Sequence, residues 1–347
     1  MVGIEPASRT AVFCANTADR KAETWERHLT PFDRLEFAVS DAAKGIAKAV
    51  SRIAEARRDD PSAPVLEHGL DVFHTAMEAH RVPARHRRRA EAAWEAADAE
   101  VAAAKRQGSD ARGVVQTARP AWSRAIASFE RTERPEAAWG RAHAALDLFG
   151  ADGRLNDRTH AEAEIATALE GLTGPDWSKV RHFLNDPRSL TFLDRMHRRL
   201  ESVGPHPEWR EAMAWRWWLR QRRVPSPNRL TRLVRVVGRD RVLDESERIS
   251  YERASAVLGD TSRAGGAVEC INSVLRMQQS RHRRMTQPML DLTRLYWNCH
   301  PFRSGPRKDV CPYRALGLEL PTFEFRTLLQ ADPKGLAQRL LTARNPI

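Results

Sequence analysis

Arg34-Leu-Glu-Phe-Ala-Val-Ser-Asp-Ala-Ala-Lys-Gly-Ile-Ala-Lys-Ala-Val50 changes its hydrophobic period at Asp41. Before that residue, Leu35, Phe37 and Val39 alternate with Glu36 and Ala38, which is the period of a strand. Beyond it, Ile46, Val50 and Ile53 recur at helical spacing, and Ser40 or Asp41 can cap the first turn. A carboxylate at the carboxyl end of a strand, beside a helix N-terminus, sits where α/β folds place their chemistry. Asp41 is therefore a candidate metal-binding acid. The plainer alternative is that it serves only as a helix cap.

Working outward, Met1–Ser8 and Thr10–Asn16 have the pattern of two short strands joined by a turn, with Pro6 marking a strand end. Lys21–Leu29 is a short amphipathic helix closed by Thr30-Pro31. Val65–His74 reads as a further strand. The predicted order of strand, strand, helix, strand, helix, strand describes an α/β layer. From about Thr75 the texture changes. Residues 84–145 are rich in Ala, Glu and Arg at helical spacing, punctuated at Gln107-Gly108 and at Arg119-Pro120 into long antiparallel helices. Trp94, Trp122 and Trp139 are expected to pack between them. Shorter helices follow over Asn156–Leu172, Trp177–Asn185, Pro187–Glu201 and Pro207–Arg222.

The last segment restores a sharper signal. After Gly265-Gly266, the residues Val268, Ile271, Val274 and Leu275 form one apolar stripe. Glu269, Asn272 and Arg276 share another face at i, i+3 and i+7. A carboxylate, an amide and a guanidinium in one line suit work on a metal ion or a phosphate backbone. Taken alone, Glu269 reads first as a solvated helix residue; its Asn272 and Arg276 companions favour the site.

Composition narrows the partners. Lys and Arg number 57 against 45 Asp and Glu, leaving +12. That balance favours a polyanion, and nucleic acid before a membrane surface. No apolar run approaches the roughly 18 residues of a membrane span, and no secretory signal opens the chain, so a cytoplasmic location is expected. The four cysteines (Cys14, Cys270, Cys299 and Cys311) are too scattered for a disulfide scaffold or a zinc motif. Cations expected on a DNA backbone are Lys44, the run Arg85, Arg87, Arg88 and Arg89, and the run Arg281, Arg283 and Arg284. The Arg85–Arg89 run reads otherwise as a solvated face. Trp215, Trp217 and Trp218, beside Arg216 and Arg220, read as a helix core with snorkelling arginines before base stacking.

Taken together, Val39-Ser-Asp-Ala-Ala-Lys-Gly45, Gly69-Leu-Asp-Val-Phe-His74, Gly265-Gly-Ala-Val-Glu-Cys-Ile-Asn-Ser-Val-Leu-Arg276, Tyr296-Trp-Asn-Cys-His-Pro-Phe302 and Pro312-Tyr-Arg-Ala-Leu-Gly317 resemble a bacterial insertion-sequence transposase of the DDE type. The resemblance implies a ribonuclease H-like, retroviral integrase-like catalytic domain interrupted by a large all-α insertion. The implied division is residues 1–80, then an insertion over 81–262, the rest of the catalytic domain over 263–321, and a C-terminal tail over 322–347. It implies Asp41 as the second acid and Glu269 as the third, with His74, Asn272 and Arg276 beside the site. The expected cofactor is Mg²⁺ or Mn²⁺. Expected partners are transposon ends and target DNA, with a homodimer as the implied assembly and the bacterial nucleoid as the place of work.

The resemblance also exposes a departure. In such enzymes the first acid lies on a strand just upstream of the one that here reads Val2–Ser8. This reading expects a truncated chain that lacks the first strand and its Asp, with impaired or no DNA cleavage and strand transfer. Glu5 is the nearest carboxylate, but it precedes Pro6 on a different strand. The alternative is a non-catalytic helical protein that binds DNA or other proteins.

Overall fold

The structure, a computed structural model, describes residues 1–347 apart from 109, 151–152, 205, 223–242, 262–265, 283, 305–306, 333 and 337–347. The chain forms two compact units. One combines Met1–His68 with Ala264–Ile347, and the other is Gly69–Arg263.

The first unit opens with strands β1 (Val2–Glu5) and β2 (Thr10–Cys14), an antiparallel pair in which Val2 faces Cys14 and Glu5 faces Thr10. A bulge falls between Gly3 and Ile4. The turn is held by Glu5, whose carboxylate accepts from the Ala7 amide at 2.8 Å and from the Ser8 amide at 2.7 Å. Glu5 is thus committed to a turn.

Helix α1 (Ala22–Leu29) and helix α2 (Lys44–Ala56) flank β3 (Phe37–Ser40), which pairs with β4 (Glu67–Leu70). Ile46, Val50 and Ile53 are all buried, as their spacing predicted, in a cluster with Phe13, Ala15, Leu29 and Leu66. Leu35 and Ala38 pack against that cluster. The β1–β2 and β3–β4 pairs therefore share helical cover, yet they are separate two-stranded sheets with no ladder between them. The opposite face of β1–β2 carries a second cluster: Ala11 and Cys14 pack with Ile271 and Leu275 of α10 (Gly266–Arg281) and Leu290 of α11 (Gln287–Cys299). Short helices α12 (Pro312–Ala315) and α13 (Phe325–Gln330) complete this unit's described elements.

The second unit is helical. Helix α3 (Val72–Arg106) and helix α4 (Ala111–Ala145) are each 35 residues, roughly 50 Å long at 1.5 Å per residue. Ala90, Ala97 and Ala104 of α3 and Ala118, Ala121 and Ala125 of α4 are buried. These small side chains let the two backbones come close. Gly108, at φ +77°, turns the chain between the two helices. Then follow α5 (Arg158–Gly171), α6 (Ser178–Leu184), α7 (Thr191–Glu201), α8 (Pro207–Arg222) and α9 (Glu245–Asp260).

Several sequence expectations are corrected. The strand expected over Val65–His74 stops at Leu70, because Asp71 accepts the Phe73 amide at 2.9 Å and starts α3 there. His74 therefore belongs to a first helical turn. Pro120 does not break a helix, and neither do Pro83 and Pro135; all three lie inside α3 or α4. Neither Ser40 nor Asp41 caps α2, whose N-cap is Ala43. The chain is helix-rich with a small strand content, and no described helix is long and apolar enough to cross a membrane.

Candidate functional site

Asp41 follows the last residue of β3 directly, in the exposed connection to α2. Its carboxylate accepts one long bond, from the Ala43 amide at 3.3 Å. The Ser40 hydroxyl beside it lies 2.8 Å from His68 Nε2, which ties the end of β3 to the middle of β4. Lys44 opens α2 and is exposed. A carboxylate with one weak bond keeps most of its acceptor capacity for an ion or a donor.

Glu269 comes from the first turn of α10 and is half-buried. Ile271 and Leu275 fix the orientation of that helix by burying against β1–β2. On the adjacent face, Glu269 Oε1 accepts from Asn272 Nδ2 at 3.3 Å, and Oε2 meets Arg276 Nη2 at 3.4 Å. The i, i+3 and i+7 line read in the sequence is a physical array within one helix. Arg276 is otherwise exposed. Arg281 and Arg284 are exposed near the end of α10 and make no ion pair among the described residues, and Arg283 lies outside those residues.

Asp41 and Glu269 belong to the same compact unit although a whole second unit separates them in the chain. Among the described residues, no three His, Cys, Asp or Glu side chains come together as a metal-holding group. Hard oxygen donors of this kind suit Mg²⁺, but a two-ion centre needs carboxylates on several sides, one of them bridging. The described donor set does not amount to such a centre.

The remaining candidates lie in the helical unit. His74 Nδ1 is 2.8 Å from Asp71 Oδ2, and Asp71 is buried. Asp71 is a residue that the sequence reading passed over, although its i, i+3 spacing from His74 at a helix start was the available signal. The arginine run on α3 is partly neutralised. Asp176 meets His86 at 2.9 Å and lies within 4 Å of Arg85 and Arg89, and Arg87 pairs with Glu136 at 2.8 Å. The His86 bond, with Arg85 and Arg89 adding their charge, holds Asp176 below the usual carboxylate range. Arg88 alone of the four named arginines has no ion-pair partner among the described residues. Trp215 and Trp218 stack at 4.7 Å, and Phe149 stacks on Trp217 at 6.0 Å, a packed aromatic cluster within the helical unit.

Comparison with known proteins adds no identification: no family model matches the chain, and neither a curated protein nor a solved structure does.

Proposed function

We propose that the chain is a DDE-type transposase relative with a ribonuclease H-like catalytic unit, acting on transposon ends and target DNA. One observation supports this reading. Asp41 at the end of β3 and Glu269 on a helix packed against β1–β2 belong to one compact unit, interrupted by a helical unit. The net charge of +12 fits a polyanionic substrate.

In this reading Asp41 and Glu269 would hold Mg²⁺ or Mn²⁺, which when bound lowers the pKa of an attacking water. Asn272 and Arg276 orient the Glu269 carboxylate, and Arg276, Arg281, Arg284 and Lys44 supply charge for the phosphate backbone. With two acids the ion is held weakly, so cleavage and strand transfer are slow or lost. A homodimer on paired ends and association with the bacterial nucleoid belong to the same proposal.

A second reading is favoured by the Glu269–Arg276 pair. A carboxylate that already meets Arg276 of its own helix at 3.4 Å has less acceptor capacity left for a metal ion, which suits a non-catalytic DNA-binding protein. A nicking assay on supercoiled DNA with Mg²⁺ or Mn²⁺ separates the two. Cutting that disappears in both Asp41→Ala and Glu269→Ala supports the enzyme, whereas duplex binding with no cutting supports the second reading.

A further inference from the structure

The first unit contains a cavity of about 510 Å³ at the carboxyl end of α11, used by neither acid. Three aromatic side chains, Tyr296, Phe323 and Phe325, line it together with His300, Arg314 and Arg326. Tyr296 stacks on His300 at 5.2 Å, meets Phe325 edge-on at 5.4 Å, and is still 49 % exposed. Arg314 places its guanidinium 5.0 Å from the centre of the Phe323 ring. Arg314 is exposed at the rim, and the charge of Arg326 acts on the Glu324 carboxylate beside it. Of the two acids on the wall, Glu324 is committed elsewhere, accepting the Thr327 amide at 2.6 Å and its hydroxyl at 2.7 Å to cap α13. Asp309 is the other.

We infer that this cavity takes an unstacked base of single-stranded DNA, an inference that rests on the DNA-acting reading above. Ring faces beside guanidinium groups are the recurring chemistry of single-strand binding. The base stacks on an aromatic face, tolerant of sequence, while arginine holds the phosphate. The cavity volume lies within the range of small-ligand sites and accommodates one nucleotide. Asp309 offers an acceptor for the exocyclic amine of cytosine or adenine. The half-exposed Tyr296 ring gains a partner for its open face.

The test uses the full chain and fluorescence anisotropy. The probes are a single-stranded oligonucleotide, an abasic strand with the same number of phosphates, and a duplex. The base-bearing strand should bind the wild type roughly tenfold or more tighter than the abasic strand, the scale of stacking one base. Tyr296→Leu should erase that preference while leaving duplex binding and the circular dichroism spectrum unchanged. Arg314→Gln, on the exposed rim, should weaken single-strand binding and reduce its salt dependence by about one phosphate contact. Equal binding of base-bearing and abasic strands overturns the proposal. So does a folded Tyr296→Leu that keeps the preference; if that variant does not fold, an unchanged Arg314→Gln does so instead. Failure of the wild type to bind any of the three probes overturns the DNA-acting reading itself, whereas intact duplex binding confines the failure to the cavity.

Discussion

Asn298 closes both backbone groups of Ala11: its Oδ1 accepts the Ala11 amide at 2.8 Å and its Nδ2 donates to the Ala11 carbonyl at 3.0 Å. The side-chain amide acts as one residue of a neighbouring strand. Gln287, Arg294 and Trp297 extend the arrangement along α11, donating to the carbonyls of Cys14, Val12 and Arg9. Helix α11 thus covers the β2 edge, which would otherwise pair with another chain. Replacing the buried Asn298 by Ala strands an amide and a carbonyl in the interior. The expected loss is about 2–6 kcal/mol, from roughly 1–3 kcal/mol for each of the two unsatisfied groups. Urea denaturation measures it, and a loss below about 0.5 kcal/mol would contradict this account.

Asp186 gives a pH signature in the helical unit. Its carboxylate is held below the usual range first by the hydrogen bond from Arg188, at 2.6 Å, and then by the Arg188 amide and charge. A depressed folded-state pKa contributes stability above the ordinary Asp value, and that contribution is lost as pH falls through the folded value. Asn keeps the capping acceptor and removes the charge. Wild type should therefore exceed Asp186→Asn in denaturation midpoint near pH 6; the gap should begin to close only as pH falls below about 4, the ordinary aspartate value, and vanish below the depressed folded value.

The cysteines should separate cleanly by reactivity. Cys270 is exposed, whereas Cys14, Cys299 and Cys311 are buried. Burial, with Cys311 and then Glu324 nearby, pushes the Cys299 thiol up to about 11. Because the thiolate is the reactive form, iodoacetamide at pH 8 should label Cys270 in the native protein and leave Cys299 until denaturant is added. Peptide mass spectrometry reads this directly. Rapid native labelling of Cys299 would show that the wall of α11 opens.

Two backbone substitutions should move stability in opposite directions. Pro120 is exposed inside α4 and supplies no amide for the helix. Pro120→Ala should raise stability by about 1–3 kcal/mol, since proline is about 3 kcal/mol worse than alanine in a helix interior. Gly153 sits at φ +80° with the Trp215 ring where a Cβ would go. Gly153→Ala should cost more than about 1 kcal/mol through strain and displacement of that ring. Thermal melts of the two variants would show one shift up and one down.

Local signals were legible in the sequence where one element's own residues decide the outcome. Pro207–Arg222 forms α8 with the bounds that were read, and the Ile46, Val50 and Ile53 stripe is buried as its period implied. The Glu269, Asn272 and Arg276 line holds because it is local to one helix. Competing local signals misled elsewhere. The β-propensity of Val72 and Phe73 lost to the Asp71 cap, and Pro120 is tolerated because a 35-residue helix outweighs one missing bond. What could not be read was long-range. Nothing in Arg85–Arg89 signals that Asp176, some 90 residues away, takes up part of its charge. Nothing in Asn298 names Ala11.

The split of the first unit across the chain also has a consequence during synthesis. Ala11 and Cys14 find their partners Ile271, Leu275 and Leu290 only after the whole of Gly69–Arg263 has been made. At roughly 5–20 residues per second, the β1–β2 hairpin, ending at Cys14, leaves the ribosome roughly 13–50 s before α10 begins at Gly266. During that interval one apolar face of the nascent hairpin is bare, a window for a chaperone to hold it or for a neighbouring nascent chain to capture it.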